Sequence, residues 1–145
     1  MEIGAFSRRM VELLPQLGRG IARHEHTALS RGDVTLPQLW ALEYVSRQRG
    51  GPMHEIARCL GISRPAATGL INRLIARRWV HREHDARDRR IVRITATAAG
   101  RRALQDILEQ KRRAITHVFG RLSAGDRARY LAILERVVHT LTPAP

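Results

Sequence analysis

The sequence predicts a mainly α fold with one small β-hairpin, and three observations carry that prediction. Apolar residues recur at steps of three and four through most of the 145 residues. That period gives way once, near residues 80–97, to strict alternation. Thr35, Ser63, Thr97 and Ser123 stand at the starts of helical stretches, where a side-chain oxygen satisfies free backbone N–H groups.

Taken in order, Ile3, Phe6, Met10, Leu13, Leu14, Leu17 and Ile21 form one stripe of a helical segment over residues 3–29. Pro15 inside it predicts one bent helix or two short ones. SRGDV at 30–34 is a turn. Thr35 and Gln38 have capping-box spacing, with Pro37 in the first turn of a helix bearing Leu39, Trp40, Leu42 and Val45. RGGP at 49–52 ends it. Met53, Ile56, Ala57 and Leu60 mark a short helix closed by Gly61, and Ser63 caps the next, with Pro65 in its first turn. Two short helices joined through a glycine have the arrangement of a helix-turn-helix; the small Ala57 permits close crossing and Ile62 fills the corner.

Val92, Ile94 and Ala96 then alternate behind a stretch dense in Asp and Arg, which predicts a two-stranded hairpin with a charged tip. Thr97 caps a long helix to about Leu122, carrying Leu104, Ile107, Leu108, Ile115, Val118 and Phe119. Ser123 and Asp126 open the last helix, with Tyr130, Leu131, Leu134, Val137, Val138 and Leu141. The length suits a single domain, 1–145, in which residues 35–97 close their own small core. The outer segments, 1–30 and 98–142, need a further surface and are expected to pack on one another and on a second copy. There is no internal repeat, and TPAP at the C-terminus is expected to be loose.

Composition narrows the function. The 26 basic residues, all Arg except Lys111, oppose 13 acids for a formal charge of +13, which points to an anionic partner. Genomic base composition alone can enrich Arg, so its placement matters more than its number. From Arg58 to Arg93 there are ten Arg against three acids, Glu83, Asp85 and Asp88, a net of +7 in 36 residues. Cys59, the single cysteine, cannot form an internal disulfide and fits a reducing compartment, with a packing role favoured over redox sensing. The N-terminus lacks a signal-peptide pattern and no apolar run approaches the roughly 18 residues of a membrane span, so a soluble, cytoplasmic protein without a membrane partner is expected. His24-Glu25-His26 and His81-x-x-His84 supply no full ligand set, and no metal or other cofactor is expected. No nucleophile–base set, phosphate loop or isolated carboxylate pair suggests an enzyme.

The outer side of the Ser63-capped helix is unusually bare. At 100° per residue, Ala67, Leu70, Ile71, Leu74 and Ile75 share the core arc, leaving Pro65, Thr68, Gly69, Asn72, Arg73 and Ala76 outside. An exposed helical glycine costs about 1 kcal/mol relative to alanine, which is offset where the missing side chain lets a partner approach. A DNA major groove admits one helix, with Arg suited to guanine, Asn to adenine and Thr or Ala methyls to thymine. The candidate DNA contacts are therefore Ser63, Arg64, Pro65, Ala66, Thr68, Gly69, Asn72 and Arg73. On the hairpin tip, Arg87, Arg89 and Arg90 suit phosphates or a minor groove, and one or both of Asp85 and Asp88 are expected to brace these arginines by bidentate pairing. Taken by itself, that tip also fits a merely solvated charged turn.

TLPQLWALEYV, MHEIARCLGISRPAATGLINRL and WVHREHDARDRRIVRITATAAGRRAL resemble, in order and spacing, the second helix, helix-turn-helix and wing of the MarR family of bacterial regulators. The resemblance covers nearly the whole chain. It implies a winged helix-turn-helix with N- and C-terminal dimerisation helices, and a homodimer on an inverted-repeat operator in double-stranded DNA. It also implies a repressor relieved by a small aromatic or phenolic effector, for which His24, Trp40 and Tyr44 are candidate ligand-binding residues. Three positions depart from the pattern: Gly69 where a basic residue is common, Arg78 where the helix end tends to carry glycine, and Ala96 in place of a larger aliphatic residue. The alternatives are a winged-helix protein-interaction module and a nonspecific architectural DNA binder.

Overall fold

In the computed structural model, which describes residues 1–25 and 33–141, the helices are α1 Ile3–Ala22, α2 Leu36–Arg47, α3 Met53–Leu60, α4 Arg64–Ala76, α5 Ala98–Phe119 and α6 Ala124–Leu141. The strands are β1 Gly51–Pro52, β2 Val80–His84 and β3 Val92–Ala96. The end of the first predicted helical segment, most of the 30–34 turn, His26 and the TPAP tail lie outside the described residues. Two units emerge, one of residues 26–110 and one of 1–25 with 111–145, and α5 contributes to both.

In the 26–110 unit the local signals act as predicted. Thr35 Oγ1 accepts from the Gln38 amide at 3.4 Å while Gln38 Oε1 accepts from the Thr35 amide at 3.0 Å, closing the capping box over α2. Gly61 ends α3 at φ 63°, the left-handed conformation that glycine adopts without penalty. Leu39, Leu42 and Val45 of α2, Ile56 of α3, and Leu70, Ile71 and Leu74 of α4 close around Val80, Ile94 and Ala96 of the strands. Full burial of such aliphatic side chains stabilises by about 1.5–3 kcal/mol each. Leu104 and Ile107, from the first half of α5, complete this core, which thus runs past residue 97. Trp40, read with the apolar face of α2, is instead 52% exposed.

The hairpin is part of a three-stranded antiparallel sheet ordered β1-β3-β2, with β3 in the centre. Gly51 pairs with Ile94 and Pro52 with Arg93, so RGGP both ends α2 and supplies a strand. On β3, Ile94 and Ala96 point into the core, but Val92 lies beyond its edge and is 41% exposed.

Arg78 has φ 58°, with its N–H bonded to the Ile75 carbonyl at 2.8 Å and that of Trp79 to the Leu74 carbonyl at 3.0 Å. This is a Schellman ending, built with arginine where glycine would be unstrained. The turn is held from α5: Thr97 Oγ1 donates to the Arg78 carbonyl at 2.7 Å and accepts from the Gly100 amide at 2.9 Å. A Cβ on Gly100 would lie 2.0 Å from the Trp79 carbonyl oxygen, so no side chain fits where α5 meets this turn.

In the other unit, α1 is a single helix with Pro15 inside it rather than two segments. The His24 and His117 ring centroids are 4.0 Å apart, and those of Phe119 and Tyr130 are 5.2 Å apart. Ser123 caps α6 by accepting from the Asp126 amide at 3.1 Å. Neither α1 nor α6 buries a residue, and Phe6, Leu14, Leu131, Leu134 and Val137 stand 44–54% exposed. So much apolar surface on regularly patterned helices is the mark of a face built for a partner.

Candidate nucleic-acid interface

Ser63 Oγ accepts from the Ala66 amide at 3.3 Å and Pro65 occupies the first turn, so α4 starts sharply with Arg64, Pro65 and Ala66 exposed at its tip. Ser63 is itself exposed, but its hydroxyl is committed to the cap. Ala67, Leu70, Ile71 and Leu74 are buried, whereas Gly69, Asn72, Arg73 and Ala76 are exposed and Thr68 is half-buried. A Cβ on Gly69 would meet nothing within 4 Å, so the glycine leaves a shallow stretch of helix open to the outside. Thr68 Oγ1 donates back to the Arg64 carbonyl at 3.0 Å, which leaves the methyl group as the part it can offer a partner.

Arg82 was missing from the sequence-derived set. Its guanidinium donates to Asn72 Oδ1 at 2.7 Å, tying β2 to the outer face of α4 and leaving the Asn72 amide N–H groups to donate elsewhere. The signal was present: Arg82 follows buried Val80 by two strand positions and so shares its inward face.

The hairpin tip is organised by its two aspartates, of which one makes the expected bidentate brace. Asp88 makes the bidentate pair with Arg90, Nε and Nη2 each lying 3.1 Å from a carboxylate oxygen. Asp85 does not pair with a tip arginine. Its Oδ1 accepts from the backbone amides of Arg87 and Asp88 at 2.8 and 3.2 Å, and its Oδ2 accepts from Arg93 at 3.3 Å. Two backbone N–H donors hold the Asp85 carboxyl below its ordinary value of 3.8, with Arg93 adding to the effect. The Arg90 side chain does the same for Asp88. Arg93 also donates to the Gly50 carbonyl at 2.8 Å, anchoring the tip to the turn before β1. Sequence spacing favours near neighbours in a tight turn, and the cross-strand Asp85–Arg93 pair is set by register, which puts Arg93 beside Glu83. Among the described residues Arg87 and Arg89 make no ion pair, and both are exposed.

Trp40 and Tyr44 line a cavity of about 400 Å³ with Glu43, Arg47, Gln48, Cys59 and Leu60. Tyr44 O–H donates to Glu55 at 3.2 Å, and burial, then the neighbouring Glu55 carboxylate, pushes the phenol above its ordinary range. Cys59 is exposed at that cavity rather than packed inside, while His24 belongs to the other unit. His81 approaches Glu83 and Thr95, whereas His84 approaches the Arg89 carbonyl, so the two do not converge. Among the described residues no three His, Cys, Asp or Glu side chains cluster as a metal site. No described helix is long and apolar enough to cross a membrane.

A helix-turn-helix whose second helix has a bare outer side, flanked by a three-stranded wing with arginines at its tip, defines the winged helix-turn-helix class of transcription regulators. The model of the MarR family matches residues 32–91. The transcriptional repressor NicR of Pseudomonas putida is 27% identical over 122 residues, 81% of this chain and 77% of the relative. YusO of Bacillus subtilis superposes with a TM-score of 0.75 at 18% identity, covering 96% of this chain and 99% of that one. BpsR of Bordetella bronchiseptica, whose DNA binding is regulated by 6-hydroxynicotinic acid, superposes at 0.64 with 23% identity over 94% and 93% of the two chains. Residues 32–91 are thus similar to the MarR family, and over most of its length the chain has the fold of winged helix-turn-helix regulators.

Proposed function

We propose that the protein is a homodimeric, sequence-specific DNA-binding repressor in the cytoplasm, acting on an inverted-repeat operator. One observation carries this reading: the outer face of α4, emptied at Gly69 and bordered by Arg64, Asn72 and Arg73, is shaped for close approach rather than for solvation. The net of +7 between Arg58 and Arg93 supplies the field that holds a phosphate backbone against it. The exposed apolar stripes of α1 and α6 are the surface that a second copy covers. Two α4 helices then enter successive major grooves about 34–36 Å apart, and the arginine tips reach flanking minor grooves.

Repression and its relief follow the precedents of NicR and BpsR. A small aromatic or phenolic acid is the proposed effector, with Trp40 and Tyr44 as cavity walls. It can release DNA only by binding more tightly to a conformer whose α4 spacing is wrong. Fluorescence anisotropy on DNA from upstream of the gene, set against random duplex, tests the reading. A preference on the order of 10³ or more is expected, reduced by about 1–3 kcal/mol in Asn72→Ala and similarly in Arg89→Ala. A preference below about tenfold makes the protein an architectural binder instead. Sedimentation showing only monomer at working concentration would remove the paired-helix geometry.

A further inference from the structure

The Asn72 side chain carries one acceptor and one donor group, and β2 decides which of them a partner meets. Arg82 pairs in register with Ile94 and follows Val80 by two positions, so it rises from the sheet face that packs on α4. From there its Nη2 donates to Asn72 Oδ1 at 2.7 Å. A guanidinium has no acceptor, so only the oxygen of the amide can face it, and the orientation of Asn72 follows from chemistry alone. Both residues are exposed, and among the described residues Asn72 Nδ2 has no partner and Arg82 makes no ion pair. Arg82 also lines a groove of about 710 Å³ beside Arg64 and Thr68, so the pair is reached from the same side as those candidate base contacts.

We infer that Arg82 makes Asn72 a donor-only reader, and that the base it selects is guanine and not adenine. This rests on the proposed entry of α4 into the major groove. An unbraced Asn reads adenine with two bonds, its oxygen accepting from N6–H and its amide nitrogen donating to N7. Here Arg82 occupies the acceptor. The second lone pair of Oδ1 is a poor site for adenine, because the N6–H donor would be brought against the guanidinium charge. Guanine instead presents N7 and O6, two acceptors side by side, to the two N–H groups of Asn72 Nδ2. Thymine has one acceptor, O4, and cytosine presents a donor. Arg82 is thus a positioning residue, setting the choice of base through Asn72.

The test selects sites from a random duplex library with the parent, Asn72→Ala, Arg82→Ala and Asn72→Asp chains, then measures anisotropy on single-pair variants of the parent's site. One base pair per half-site is expected to lose discrimination in Asn72→Ala, and at that pair the parent should prefer G·C over A·T by about tenfold. Arg82→Ala frees Oδ1 and should reverse the preference there to A·T, leaving the other positions of the site as they were. Asn72→Asp keeps a bond to Arg82 but has no donor, so it should lose the guanine preference while its thermal midpoint stays near the parent's. That arm decides the matter even if Arg82→Ala fails to fold. The inference is overturned if the parent prefers A·T at the Asn72-dependent pair, or if Asn72→Asp keeps the preference for guanine. It is equally overturned if Arg82→Ala weakens all sequences alike with G·C still preferred, which would make Arg82 a phosphate contact or a brace only. A parent that selects an operator on which Asn72→Ala changes nothing overturns this inference alone, whereas a parent that selects no sequence removes the operator reading and this inference with it.

Discussion

Replacing Gly69 by leucine separates the architecture of α4 from its use. The position is exposed, and a Cβ there meets nothing within 4 Å, so the folded chain has room for the new side chain. Leucine is close to alanine in helix propensity, while glycine is about 0.8–1.0 kcal/mol worse. Gly69→Leu should therefore stabilise the chain by about 0.6–0.9 kcal/mol, raising the thermal midpoint by roughly 1–4 °C for a chain of this size at fixed concentration. On DNA the same side chain fills the one gap in the outer face between Thr68 and Asn72, and separation of the helix from base edges should cost about tenfold in affinity or more. Gly69→Ala is the control: the same gain in stability with only a methyl added. Thermal denaturation and anisotropy on one preparation read both effects. A leucine variant that is more stable and binds DNA as tightly as the parent would refute the claim that this face is approached closely. One that is less stable would refute the open space around it.

Two further outcomes follow from the turns. Arg78→Gly relieves a left-handed arginine whose backbone bonds to Ile75 and whose carbonyl bond from Thr97 do not need the side chain, so calorimetry should show a gain of about 1 kcal/mol; a loss would mean that the guanidinium is itself a structural contact. The Asp85 and Asp88 carboxyls are held below 3.8 in the folded chain. Their contribution to wing order is thus complete above that value and lost as the pH falls through the lowered ones. Exchange protection of the Arg87, Asp88 and Arg90 amides should persist at about pH 5 and disappear in more acid solution, and loss already at neutral pH would contradict the bracing.

What could be read from the sequence was what depends on near neighbours. Thr35 with Gln38, Ser63, Thr97 and Ser123 each cap within three residues, so helix starts were written locally and appear where expected. The inward arc of α4 was equally plain, because 13 helical residues fix which side faces a core. What escaped depends on partners far along the chain. β1 is two residues long, too short for any period, and exists only because Ile94 and Arg93 come to pair with it. Arg93 was counted as charge, yet its work is to join Asp85 to Gly50, 43 positions away. Asn72 was assigned to base reading without Arg82, since nothing local says that a strand will lie across the helix face. Pro15 leaves a choice that only the structure decides: its missing N–H predicts one bent helix or two short ones, and one helix runs through it.

These partnerships change what the basic stretch can do. Of the ten arginines between Arg58 and Arg93, Arg82, Arg90 and Arg93 are committed to Asn72, Asp88 and Asp85. Arg77 donates to the Asp33 carbonyl and lies over the Trp79 ring, 5.5 Å from its centroid. Charge is thereby converted into a fixed geometry of helix and wing, and the arginines left on the outer face of α4 and the tip are Arg64, Arg73, Arg87 and Arg89. Four phosphate contacts per protomer, eight per dimer, give a slope of log K on log salt of about −7, whereas all ten arginines acting on phosphates would give about −18. Anisotropy titrations across about 50–200 mM salt distinguish the two. A slope near the larger value would mean that the braces open on DNA and that the wing is remade there; a slope near the smaller one means that the chain meets DNA with its geometry already set.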